Sequence, residues 1–137
     1  MFPAIETQLH SAIATAWSRA TVLVVDDDQN FRRLAGTILD AAGFAVLEAG
    51  GVGQCLRVLG GGRVDVIVLD IVMPGRDGIE GLRDIRRRRP GVKVVTVSGA
   101  RSSEAYLAAS AHLGADASLD KAEIVALPAL LDVLLDH

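Results

Sequence analysis

Short apolar runs recur along this chain, and stretches with helical spacing separate them. Val22-Leu23-Val24-Val25, Phe44-Ala45-Val46-Leu47, Val66-Ile67-Val68-Leu69, Val94-Val95-Thr96-Val97 and Ala117-Ser118-Leu119-Asp120 are the runs. They are brief, rich in Val and Ile, and largely apolar on both faces, as parallel strands covered by helices on both sides must be. Between them, Phe31, Leu34, Ile38 and Leu39 form one apolar stripe at helical spacing, and Ile79, Leu82 and Ile85 another. Tyr106, Leu107 and Leu113 suggest a third in Ala-rich surroundings. The order is β-α five times over, from about Thr21 to the end, which predicts a doubly wound α/β sandwich. Punctuation agrees. Asp28 can cap the first helix, and Gly43 closes it. Asp77 with Glu80 makes a capping box for a helix starting at Gly78, and Pro90-Gly91 stops that helix. Gly60-Gly61-Gly62 reads as a flexible link into the third strand.

Ligands of such sheets bind beyond the carboxyl ends of the strands, near a switch in strand order. The runs end there in polar residues: Asp26, Asp27 and Asp28 after the first, Asp70 after the third, Ser98 after the fourth, Lys121 after the fifth. Bare carboxylates gathered in one crevice repel each other by roughly 4 kcal/mol per pair at about 4 Å and an effective dielectric near 20. A hard divalent cation relieves that repulsion; magnesium takes carboxylate, carbonyl and water oxygens in an octahedron. An Asp70 oxygen left free can attack phosphorus, a known form of covalent catalysis. The metal, the Lys121 ammonium and the Ser98 hydroxyl would then meet charge on the transferring oxygens.

Composition narrows the choices. A length of 137 residues suits one domain, and 50% apolar residues supply a core. A formal charge of −3 argues against a general nucleic-acid binder. The run Arg86-Arg87-Arg88-Arg89 ends a helix, where positive charge complements the macrodipole. Cys55 is the one cysteine, which excludes an intrachain disulfide and a cysteine zinc site. No apolar run approaches the roughly 18 residues of a membrane span, and the start lacks a signal peptide's basic region. The expectation is a cytoplasmic protein.

The constellation resembles the receiver domain of two-component response regulators, of the single-domain chemotaxis-regulator kind. The likeness runs from about Thr21 to His137. It is carried by Val22–Asp28, by Asp65–Gly78 with Met73-Pro74-Gly75, by Val94–Ala100 and by Gly114–Lys121. It implies a flavodoxin-like sheet in the order 2-1-3-4-5. It also implies Asp70 as phosphoacceptor, Asp26 and Asp27 as the acidic pair, and the Val72 backbone carbonyl as a further ligand of Mg2+ or Mn2+. Ser98 matches the switch hydroxyl and Lys121 the phosphate-binding lysine. The implied donor is a phosphohistidine on a sensor histidine kinase or phosphotransfer protein, and the implied product is a switch in protein contacts. By the same resemblance the chain is a signalling switch and not an enzyme. With no DNA-binding module or output enzyme following, it is expected to work as a single-domain regulator or phosphorelay shuttle.

Four features depart from that family. Ala122 replaces the usual proline after the lysine; a cis bond there would cost about 2.5–4 kcal/mol, so a trans bond is expected. Ser118 stands where an aromatic residue usually moves with the switch hydroxyl. Val72 and Ala100 cannot position an attacking water, so self-dephosphorylation is expected to be slow. Residues 1–20 precede the receiver at 21–137 and carry a stripe of Ile5, Leu9, Ile13, Ala16 and Trp17, which predicts a helical extension. The last helix, around Pro128, is apolar nearly all round and could pack on that extension, within the chain or across a homodimer.

Other classes fit less well. Gly50-Gly51-Val52-Gly53 imitates a dinucleotide fingerprint but follows the second strand and lacks the third glycine. A haloacid-dehalogenase-like phosphatase needs a second aspartate where Val72 stands. A degenerate receiver, used as a phosphorylation-independent binding or dimerisation module, is the alternative that Ser118 and Ala122 keep open.

Overall fold

The computed structural model describes residues 19–72, 78–99 and 104–135, the side chains of 104–107 excepted. The strands are β1 Thr21–Val25, β2 Ala45–Ala49, β3 Val66–Asp70, β4 Lys93–Ser98 and β5 Ala117–Asp120. The helices are α1 Gln29–Ala41, α2 Val52–Gly61, α3 Gly78–Arg88, α4 Glu104–His112 and α5 Leu127–Leu135, the last preceded by a 3-10 segment, Lys121–Ala126. All strand pairs are parallel, in the order β2-β1-β3-β4-β5. The α/β class and strand order agree with the sequence. Asp77, Ala100 and residues 1–18 of the N-terminal extension, Trp17 among them, lie outside the described residues.

The three inner strands explain the continuous apolar runs, because they are covered on both faces. Val22, Val24, Val66, Val68, Val95 and Val97 meet α1 and α5, with Phe31, Ala35, Leu39, Leu127 and Leu131. Leu23, Val25, Ile67, Leu69 and Val94 meet α2 and α3 on the other face, with Cys55, Leu59, Leu82 and Ile85. Burial pushes the Cys55 thiol up to about 12, which leaves it an inert packing group. Edge strand β5 alternates half-buried and exposed residues.

Three local readings change. Leu34 is 50% exposed, and the buried line of α1 runs through Phe31, Ala35 and Leu39 at intervals of four. Phe44 precedes β2: Gly43, at φ +93°, ends α1 while its N–H reaches Asp40 O and the Phe44 N–H reaches Leu39 O, with both apolar side chains buried. Gly60 and Gly61 belong to α2, and Gly62 caps it.

Two glycines set how α3 sits. A Cβ on Gly78 would lie 2.6 Å from the carbonyl oxygen of Ile71, and one on Gly81 would lie 2.5 Å from Val52 Cγ2. The helix therefore starts directly against backbone at the tip of β3 and crosses α2 at close range. At its other end Arg86 donates to Gly114 O at 2.8 Å and to Asp116 at 2.7 Å, and Arg89 to Leu59 O. Half of the arginine run is thus spent joining elements. Arg19 pairs with Asp132 of α5 and lies over the Phe44 ring, its guanidinium carbon 4.7 Å from the centroid. Among the described residues, no helix is long and apolar enough to cross a membrane.

Candidate functional site

The chain leaves β1 toward β2 on one side and later places β3 on the other side of β1. That reversal opens a crevice above the ends of β1 and β3. Asp26 follows the last residue of β1, and Asp70 is the last residue of β3. Register places Asp70 beside Val97 and Ser98 beside Asp120, so Lys121 enters the same edge from β5.

The two inner carboxylates are held alike. Asp26 Oδ1 accepts the Asp28 N–H at 2.9 Å, and Asp70 Oδ1 accepts the Val72 N–H at 2.9 Å. Their second oxygens face one ammonium: Lys121 Nζ lies 2.7 Å from Asp26 Oδ2 and 3.2 Å from Asp70 Oδ2. Asp26 is fully buried, and its Oδ2 has that ion pair without an aligned hydrogen bond. Burial alone would lower the Lys121 pKa. The close ion pairs with the Asp26 and Asp70 carboxylates outweigh burial and hold it above the ordinary lysine value.

Asp27 completes the group from an exposed position, and carboxylate oxygens of Asp26, Asp27 and Asp70 all lie within 4.8 Å of one another. Three hard oxygen donors, one of them a buried oxygen short of hydrogen bonds, fit a divalent cation of the magnesium kind. Ser98 is buried at the end of β4. Val72 is exposed just past Asp70. The structure thus brings Lys121 into contact with Asp26 and Asp70, gathers Asp27 with these two carboxylates, and sets Ser98 and Val72 close by at strand ends.

Asp28 caps α1 as the sequence predicted, accepting from Asn30 N at 2.9 Å and Phe31 N at 3.4 Å. Other supporting residues escaped the sequence reading. Arg32, one turn into that helix, donates to Asp26 O at 2.6 Å and to Glu48 at 3.1 Å, and so ties the acidic loop to the end of β2. Phe31 lies under Lys121, its centroid 4.6 Å from Nζ. Asp120 accepts the Ala122 N–H at 2.8 Å and starts the 3-10 segment; the Lys121–Ala122 bond is trans as expected. Where an aromatic residue was missing, three hydroxyls meet: Thr96 Oγ1 lies 2.8 Å from Ser118 Oγ and 3.2 Å from Ser110 Oγ. Only the serine at 118 gave any hint of this, and Ser110 is one polar position in a bland helix.

Known proteins share this architecture. A model of the response regulator receiver domain matches residues 22–132. The KDP operon transcriptional regulatory protein KdpE of Escherichia coli (strain K12) is 39% identical over 100 residues, 73% of this chain and 44% of that protein. The sensor kinase CckA of Brucella abortus (strain 2308) is 39% identical over 82 residues, 58% of this chain and 9% of that protein. The chain thus spans less than half the length of either relative. A CheY-like response regulator receiver domain protein from Methanospirillum hungatei JF-1 superposes with a TM-score of 0.80 at 29% identity, covering 87% of this chain and 95% of that one. By the extent of the family match, with a fold and strand-end chemistry that agree with it, this chain belongs to the response regulator receiver domain family.

Proposed function

We propose that the chain is a phosphoacceptor switch in which Asp70 takes a phosphoryl group from a phosphohistidine of a sensor kinase or phosphotransfer protein. The observation that carries the reading is the shared ammonium between two buried carboxylates, with a third carboxylate at the rim. Asp70 Oδ1 is held by the Val72 N–H, which fixes the plane of the carboxylate. An Asp70 oxygen forms the new P–O bond; the P–N bond to the donor imidazole breaks, and the imidazole keeps the bonding pair. Lys121, already beside Asp70, contacts the equatorial oxygens, and the Ser98 hydroxyl donates to another from the neighbouring strand end. Asp26, Asp27 and Asp70, with the Val72 carbonyl, would hold Mg2+ or Mn2+. Such an ion would supply positive charge against the negative charge on the phosphoryl oxygens.

The chain then acts as a switch and not as an enzyme with turnover on a free substrate. Its output is a changed set of protein contacts, and its setting is the cytoplasm, where kinase phosphohistidines are presented. Incubation with magnesium and acetyl phosphate, read by intact mass, tests the proposal. One added phosphoryl group, labile to hydroxylamine and absent from Asp70→Asn, is the expected result. Protein that stays unmodified under these conditions points instead to a receiver used as a phosphorylation-independent binding module.

A further inference from the structure

The Lys121 ammonium is held from three sides. Two are the carboxylates of Asp26 and Asp70; the third is the face of the Phe31 ring, 4.6 Å away. The carboxylates are the groups that a divalent cation would engage. Once it does, their pull on the ammonium falls, and the new positive charge repels it. The ring is unaffected by that exchange, because its attraction comes from the quadrupole of the π face.

The contact is braced at both ends. Phe31 is 8% exposed, and its backbone N–H is held by the Asp28 cap, while the Asp28 N–H is held by Asp26 Oδ1. One short turn therefore fixes both the acidic loop and the ring. Lys121 begins the 3-10 segment, whose Ile124 is buried in the same apolar cluster as Phe31. The ring and the base of the lysine are anchored in a common core, and only the ammonium end has freedom to leave.

We propose that Phe31 is a positioning residue whose ring face keeps the Lys121 ammonium over the Asp26–Asp70 pocket while a divalent cation occupies the carboxylates. Its consequence for phosphoryl transfer rests on the phosphoacceptor reading above; the contact itself does not. Without the ring, the lysine of the metal-loaded protein would spend most of its time in solvent and would have to be recovered at each transfer.

The test combines a spectroscopic arm with a kinetic one. In the whole chain, the Lys121 ε-methylene resonance should be shifted upfield by the ring current, and the shift should persist at saturating magnesium. Loss of the shift when magnesium binds overturns the proposal. Phe31→Leu keeps an apolar group of similar bulk and should abolish the shift. It should also slow acyl-phosphate formation from acetyl phosphate at saturating magnesium by roughly 5- to 30-fold, without weakening magnesium binding. Phe31→Tyr keeps the π face and should retain most of the wild-type rate. A Phe31→Leu protein that reacts at the wild-type rate, or a Phe31→Tyr protein as slow as Phe31→Leu, overturns the proposal. So does a Phe31→Leu defect matched by an equal loss of magnesium affinity, which would trace it to the acidic loop. Wild-type protein that takes no phosphate sinks the phosphoacceptor reading, and the ring-current arm still decides the role of Phe31.

Discussion

At the scale of residues, the site is built on a division of labour within each carboxylate. One oxygen of Asp26 and one of Asp70 is tied to a backbone N–H two residues on, and the other is offered to Lys121. Removing the lysine exposes the cost. Lys121→Met leaves Asp26 Oδ2 buried without a counter-charge, so the metal-free protein should lose about 1–3 kcal/mol of stability in urea unfolding. The same change removes a positive charge from the pocket, so magnesium should bind more tightly and restore stability while phosphoryl transfer is impaired. The pKa direction adds a second check. A lysine raised in the folded state contributes stability that is complete below the unfolded value, near about 10.4, and is lost as pH rises through the folded value. Metal-free wild-type protein should keep this contribution through neutral pH and lose it only in strong alkali, a decline that Lys121→Met should lack. Val72 bears on the reverse reaction. Its apolar side chain offers no hydrogen bond to an attacking water, so the phospho-form should decay slowly, and Val72→Asn should shorten its lifetime in a mass-spectrometric time course.

At the scale of elements, α3 is set against β3 by a close joint. Gly78 leaves no room for a Cβ beside Ile71. Gly78→Ala must push the helix start away from the strand that carries Asp70, at an expected cost of about 1–3 kcal/mol in chemical denaturation and with slower phosphorylation. Gly43→Ala, placed at a positive φ far from the pocket, should cost about 1–2 kcal/mol and leave phosphorylation unchanged. Elements were legible in the sequence to the degree that both of their faces are buried. β1 and β3 show as unbroken apolar runs, and β4 as one broken only by Thr96, because helices cover them twice. α1 was read through Leu34, although the small Ala35 carries the buried line, because a wheel of apolar residues does not say which neighbour turns inward. The triple glycine looked like a linker, yet α2 continues into it, because the packing of Leu59 and the Arg89 contact to the Leu59 carbonyl outweigh glycine's weak helical preference. The arginine run told nothing of its structural partners, since Gly114 and Asp116 are remote in sequence.

At the scale of the whole molecule, four separate strand ends build one site, and ligand binding should stabilise the fold as a unit. A cation that binds the native pocket and not the unfolded chain contributes about 2.7 kcal/mol at a hundredfold excess over its Kd. Magnesium should therefore raise the melting temperature of the wild type by several degrees, and Asp27→Asn should largely remove the shift. The acidic residues and the lysine could be read from the sequence because each follows an apolar run, and strand ends are where such sheets place their chemistry. Phe31 and Arg32 could not. Their roles depend on how α1 lies across the ends of β1, β2 and β5, a relation no local pattern encodes. The two glycines of α3 also give the molecule a mechanical property. Side chains between packed elements ordinarily act as cushions that absorb small displacements. Here the backbone of the β3 tip bears directly on Gly78, and Gly81 of the same rod meets α2 through the short Val52 side chain alone. A joint cut this closely leaves little backlash, so a displacement of the β3 tip should move the start of α3 and not be lost in slack between them.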